Sequence, residues 1–380
     1  MHTPRSHHLV PGSRASTMRT IPWHDIAVEV ISRIDPSDTT TLLACTLTHR
    51  SWTLPAQRRL YRTLRIRNGE AMRRWYEFEA KDRFALYVRH LIYCGDKAIP
   101  LRPRDFLDIY GSQFSCFGKV DTLEIRYLEL ERFDLNLFRL AFGHLVNTLK
   151  ALHISDVAMT LKKLLELLSL FPRLQCLGLS RFTIGHEPSQ AISKRPAFRG
   201  TLNLSGPANE YGLRFIIDLT RNLPNFPSVR LRLNLSDRAT RRLLEIPAIA
   251  KNVTTMLLGY QDGAPGCLDL SRCHNLRMLS IRAQGRHGRL SNDVSAQEFF
   301  WLLGTITSRE LEFIIVEASR GLSLIRPSAW GQFFKAFAAL QASCRKLSIF
   351  VGPYERFMAE NFVKGEILVH FLGFERELDT

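Results

Sequence analysis

Few side chains in this 380-residue chain stand at spacings that chemistry would use. Cys267, Cys273 and His274 bring metal-ligating groups together, but their intervals suit no familiar zinc site, and Cys273 is expected to be a buried structural thiol. His186-Glu187 begins a His-Glu-x-x-His motif, yet Pro188 forbids the helix that would aim both imidazoles at one metal. No Gly-x-Ser-x-Gly nucleophile elbow and no Gly-x4-Gly-Lys-Ser/Thr phosphate loop occurs. The sequence therefore predicts no catalytic residue, no metal and no cofactor, and leaves binding as the function to look for.

Binding side chains recur between apolar ones. Val120-x-x-Leu123-x-Ile125, Leu149-x-x-Leu152-x-Ile154, Leu174-x-x-Leu177-x-Leu179, Val253-x-x-Met256-x-Leu258, Leu276-x-x-Leu279-x-Ile281 and Leu311-x-x-Ile314-x-Val316 alternate as strands with one buried face do. Leu202-x-Leu204, Leu233-x-Leu235 and Leu347-x-Ile349 are weaker copies. The residues between the leucines should face solvent, among them Glu124, Arg126, Ser155 and Cys176. His153, Ser180, Asn203, Arg232, Asn234 and Arg282 are the predicted target-binding group. Four bases against two acids on this face suit protein recognition better than a nucleic-acid tract. The sequons at Asn203, Asn234 and Asn252 fall in or beside predicted strands and are read as coincidence.

Helical patterns lie between the strands, at 106–117, 135–146, 161–170, 213–223, 239–249, 299–306 and 330–340. One strand plus one helix every 23 to 35 residues predicts an α/β solenoid in which each unit buries its inner face against its neighbours. A doubly wound parallel sheet is the alternative, and the lack of a Gly-rich strand-to-helix loop counts against it.

A formal net charge of +16 raises the possibility of a polyanionic partner. The excess collects at Arg58, Arg59, Arg62, Arg65, Arg67, Arg73 and Arg74, and again at Arg272, Arg277, Arg282, Arg286 and Arg289. Solvated faces are the plainer explanation of such runs. Seven scattered cysteines without a Cys-x-x-Cys pair predict a reducing compartment, cytoplasmic or nuclear or both. No apolar run is long enough to span a bilayer. The first nineteen residues have a basic, Ser/Thr-rich composition resembling a transit peptide, but Pro4, Pro11 and Gly12 favour a disordered tail.

Near the amino terminus a short helical module is expected. Pro22 suits a helix start, Ile26, Val30, Ile31 and Ile34 fall at helical spacing, and Asp35-Pro36-Ser37-Asp38 stops the run. A second helix carries Leu42, Leu43, Cys45, Leu47 and Trp52, and Pro55 suits the start of a third. Ile21-Pro22, Asp25-Ile26, Leu42-Leu43, Cys45, Arg50-Ser51-Trp52 and Leu60-Tyr61 together resemble an F-box, although Ile replaces the usual leading Leu and one extra residue precedes the acid. With the Leu-x-x-Leu-x-Ile segments, the chain resembles F-box proteins carrying carboxy-terminal leucine-rich-like repeats.

That resemblance implies a short all-helical module followed by an irregular horseshoe solenoid. It implies a non-catalytic substrate receptor of a Skp-cullin-F-box ubiquitin ligase. Ile21, Pro22, Ile26, Val30, Ile31, Ile34, Leu42, Leu43 and Trp52 would hold a Skp-type adaptor, and through it a cullin, while the repeat face holds an unknown protein substrate. The expected organisation is a tail over 1–19, the helical module over 20–64, a basic connector over 65–84, the solenoid over 85–352 and a cap over 353–380. The alternative is a repeat scaffold binding RNA or an acidic protein through its arginine clusters.

Overall fold

A computed structural model of the chain describes residues 23–67, 69–94, 111–127, 135–181, 183–184, 198–205, 210–223, 226–234, 238–260, 268–283, 301–318, 330–344, 347–351 and 369–371. The chain divides into two compact units, with the boundary between Arg62 and Thr63.

The first unit is helical: α1 spans Trp23–Arg33, α2 Thr39–Thr48 and α3 Arg50–Leu60. Asp38 caps α2, its carboxylate accepting from the Thr41 N–H at 3.0 Å. The second helix is shorter than the sequence pattern suggests, because His49 is extended (φ −157°, ψ 149°) and its ring caps α3 instead, accepting from the Ser51 N–H. Trp52 therefore sits on α3, and Pro55 lies inside that helix and not at its start. Ile31, Leu42 and Ala56 form the core, with Ile34, Cys45, Trp52 and Leu60 packed against it. The Arg59 guanidinium donates to the Ile34 carbonyl at 3.1 Å and ties the end of α1 to α3.

The second unit is built on β1 (Thr63–Ile66), β2 (His90–Cys94), β3 (Thr122–Arg126), β4 (Ala151–Ser155), the short β5 (Ala158–Met159), β6 (Cys176–Ser180) and the short β7 (Thr183–Ile184). It continues with β8 (Thr201–Ser205), β9 (Ser228–Asn234), β10 (Val253–Tyr260), β11 (Met278–Ala283), β12 (Phe313–Ala318), β13 (Ser348–Val351) and β14 (Val369–Phe371). Twelve of these strands form one parallel sheet whose order follows the chain, while β5 and β7 pair separately. The helices between them include α4 (Gly69–Glu77), α5 (Lys81–Ala85), α6 (Leu135–Phe142), α7 (Leu161–Leu170), α8 (Glu210–Asn222), α9 (Arg238–Leu244), α10 (Pro247–Ala250) and α11 (Trp330–Ser343).

The strands start where the backbone can share acceptors. The Asp121 carbonyl takes the N–H groups of both Lys150 and Ala151, and the Lys150 carbonyl takes those of Gln175 and Cys176. This sets a level register, so that Leu123, Leu152, Leu177 and Leu202 lie side by side across four strands. All four are fully buried, each contributing roughly 2 kcal/mol of apolar burial. Phe138, Leu164 and Ile216, from α6, α7 and α8, belong to the same core. Aromatic packing fills the space under β3 and β4, with Phe114 and Phe142 centroids 4.9 Å apart and Phe138 and Phe142 4.7 Å apart.

The expectation of a leucine-rich-repeat-like horseshoe requires correction. The sheet is continuous, parallel and helix-flanked, and it is neither closed nor strongly curled. It is an open parallel α/β sheet whose strand order follows the chain without reversal. The Leu-x-x-Leu-x-Ile pattern records only which alternate side chains of a strand are buried. Any parallel sheet with helices on one face and the other face open satisfies it, so it carries no information about curvature.

Candidate functional site

The face of the sheet opposite the leucines holds an open recess of about 690 Å³, lined by residues from β3 to β11. Alternation brings its side chains to one surface: along β3, β4 and β8 every second residue is buried and the others are partly exposed. The in-register row across the strands reads Glu124, His153, Gly178, Asn203, Arg230 and Thr255. The next row reads Arg126, Ser155, Ser180, Ser205 and Arg232.

At one end the charge is internally satisfied. Arg126 Nε donates to Glu124 Oε1 at 2.6 Å, and the His90 ring lies 3.5 Å from the other carboxylate oxygen. Burial alone would raise the Glu124 carboxyl; the His90 ring and the Arg126 guanidinium outweigh that and hold it at about 2. A carboxyl depressed in the folded state stabilises above its unfolded value near 4.5, and the contribution disappears as pH falls toward 2. Glu124→Gln should therefore cost on the order of 2 kcal/mol at neutral pH. In urea titrations the gap between wild type and variant should narrow between pH 4.5 and 2. A gap that stays constant across that window would show the carboxylate contributes nothing through its charge.

The middle of the recess is shaped by a missing side chain. The His153 ring lies across Gly178, where a Cβ would overlap it. Burial pushes the His153 imidazole below its usual value, which favours the neutral ring. Asn203 donates through Nδ2 to Cys176 Sγ at 3.1 Å, while its Oδ1 is buried without a hydrogen-bond partner among the described residues. Burial pushes the Cys176 thiol up.

The other end is unneutralised. Arg230 and Arg232, two residues apart on β9, are both exposed, and neither makes an ion pair or a hydrogen bond among the described residues. Among the described residues, four arginines and one carboxylate line the recess, and that carboxylate is already held by Arg126. Tyr127, Asp156 and Arg181, just past β3, β4 and β6, have positive φ of 55°, 52° and 45°. The Tyr127 and Asp156 N–H groups donate to the carbonyls of Ser155 and Ser180, and Arg181 pairs with Asp156 at 2.8 Å. These contacts hold the rim in one conformation.

Of the sequence-predicted binding residues, His153, Ser180, Asn203 and Arg232 come together in this recess. Asn234 and Arg282 lie on β9 and β11 by their backbones, and their side chains are outside the described residues. Arg230 was missed: the sequence pattern placed the strand at Leu233-x-Leu235, whereas β9 starts at Ser228. The alternation of Val229, Leu231 and Leu233 was the signal that could have found it. In the first unit, Ile31 and Leu42 are core residues, Ile34 and Trp52 pack on that core, Ile26 is half-buried, and Val30 and Leu43 are exposed. Ile21 and Pro22 lie outside the described residues.

The arginine runs prove partly structural. Arg73 and Arg74 pair with Glu77 and Glu70 one helical turn away, Arg59 holds the Ile34 carbonyl, and Arg272 reaches the Glu245 carbonyl. Arg286 and Arg289 lie outside the described residues. Cys273 is buried, and its thiol is pushed up to about 12, as expected of a structural cysteine. No helix among the described residues is long and apolar enough to cross a membrane.

No family model matches the chain, and no curated protein matches it. Among solved structures, a crystal structure of a protein from Bacteroides fragilis matches with a TM-score of 0.35 and 10% identity over 67% of this chain and 70% of that one. The continuous, uncurled parallel sheet overturns the F-box and leucine-rich-repeat identity. The same sheet overturns the role as a solenoid substrate receptor of a Skp-cullin-F-box ligase and the repeat-scaffold form of the alternative. The short motif that suggested it uses helix-forming leucines and isoleucines, and here two of them, Ile31 and Leu42, are needed to close the small helical core.

Proposed function

We propose that this chain is a binding protein whose open sheet face holds an extended, carboxylate-rich polypeptide segment. The observation that carries this is the pair Arg230 and Arg232, exposed and, among the described residues, unneutralised, beside an Asn203 Oδ1 that has no partner there either. Guanidinium groups left free on a rigid strand are donors waiting for carboxylates, and an amide oxygen buried beside them accepts a peptide N–H. The recess is long and open, whereas a small ligand would need walls that cover most of its surface. Ser155, Ser180 and Ser205 offer hydroxyls along the same row to the segment's backbone. On this reading the chain binds and does not catalyse, and its setting is cytoplasmic or nuclear.

The test is fluorescence anisotropy with a labelled twelve-residue peptide of alternating Glu and Ser. Arg230→Glu combined with Arg232→Glu should weaken binding by about 10- to 30-fold, the scale of two lost charge-assisted contacts, while Arg73→Glu with Arg74→Glu leaves it unchanged. Equal loss in both double variants would mean only diffuse charge is being sensed. If single-stranded RNA of equal length bound more tightly and through the same two arginines, the polypeptide reading would be replaced.

A further inference from the structure

A second recess lies away from the sheet face, on the helical side between α9 and the turn that precedes β11. It has a volume of about 740 Å³ and is lined by Arg241, Arg242, Leu244, Glu245, Leu268, Asp269 and Arg272. Arg241 Nε is buried there and has no hydrogen-bond partner among the described residues. A guanidinium N–H taken out of water without an acceptor is costly, and such groups are normally satisfied. The two carboxylates on the wall do not satisfy it: neither Arg241 nor Arg272 forms an ion pair with Glu245 or Asp269. Asp269 Oδ1 instead accepts from the Ser271 N–H at 2.8 Å, and Arg272 Nη1 is turned toward the Glu245 backbone carbonyl at 3.5 Å. Three guanidinium groups thus border one recess, and Asp269, one of its two acids, is turned to the Ser271 N–H.

Beside it is a smaller recess of about 500 Å³ with a different character. Arg242 and Glu245 belong to both, and the rest of its wall includes Leu213, Ile217, Ile246, Pro247 and Ala248. A cationic recess joined to an apolar one across a shared ridge suits a ligand with an anionic head and a compact apolar body. Arginine recognises tetrahedral oxyanions through paired N–H groups, which Arg241 and Arg272 can present from two sides.

We propose that these joined recesses bind a phosphate monoester, with Arg241 and Arg272 on the phosphoryl oxygens and the ester's apolar group against Ile217 and Ile246. The site is independent of the sheet face, so the acidic-peptide reading can fail without affecting it. Isothermal titration with inorganic phosphate and with phenyl phosphate at constant ionic strength provides the test. Phenyl phosphate should bind at least tenfold more tightly than inorganic phosphate. Arg241→Gln and Arg272→Gln should each weaken both ligands at least tenfold, and because Arg272 is exposed its variant tests the site even if Arg241→Gln disturbs folding. Ile217→Ser should weaken phenyl phosphate alone. Vesicles of phosphatidylcholine containing phosphatidic acid distinguish the sources: Arg241-dependent capture on them assigns the head group to a lipid, and Arg241-dependent binding of phenyl phosphate alone assigns it to a soluble ester. Absence of saturable binding in all three formats, or binding unchanged by both arginine variants, would overturn the proposal.

Discussion

Leu177→Asp is expected to unfold the sheet unit under conditions where the wild type is fully native. Leu177 is completely buried in β6, between Leu152 and Leu202 on the neighbouring strands. The substitution removes roughly 2 kcal/mol of apolar burial and places a carboxyl among leucines with nothing to hydrogen-bond. The total, about 5 kcal/mol, is comparable to the whole stability of an ordinary domain. Circular dichroism across a urea titration should show the transition moved to near zero denaturant or lost. A midpoint within error of wild type would mean that this strand does not carry the core.

Gly200→Ala should be nearly as damaging for a different reason. A Cβ at Gly200, immediately before β8, would sit 2.5 Å from the Gln175 carbonyl carbon and closer still to its oxygen. That same oxygen accepts the Thr201 N–H at 2.8 Å, so the two backbones cannot part without breaking the bond that starts the β6 to β8 ladder. A clash with backbone has no cheap relief, and a loss of about 3 kcal/mol is expected. Gly178→Ala is the comparison: the three atoms nearest its new methyl all belong to the His153 ring, a side chain that can swing over the open face. The cost there should stay near 1 kcal/mol. Similar losses at the two glycines would show that close strand approach at Gly200 is not what demands the glycine.

The two glycines also show how far a sequence can be read. Gly178 falls in a legible strand, between Leu177 and Leu179, but that His153 from the next strand would occupy the space it leaves depends on a register no local pattern states. Glu124 and Arg126 could be placed on one face from their spacing, whereas the approach of His90, from the preceding strand, could not. Arg241 gave no signal at all. It stands in an ordinary basic helix end, and only the folding of the 268–272 turn against it creates the recess.

The sequence by itself determined the local order of this protein. Alternation of leucines with polar residues specified strands at 122–126, 151–155 and 176–180, and a 3.6-residue stripe specified α7, because burial of one face is decided within a few residues. What those strands assemble into was left to the tertiary structure: an open parallel sheet, in place of the expected horseshoe, and a small helical unit whose isoleucine and leucine close their own core. Curvature and partner contacts depend on how helices pack behind successive strands and on which apolar residues are used up in doing so. Those are sums over distant pairs of side chains, and a pattern confined to one strand or one helix contains only half of each pair.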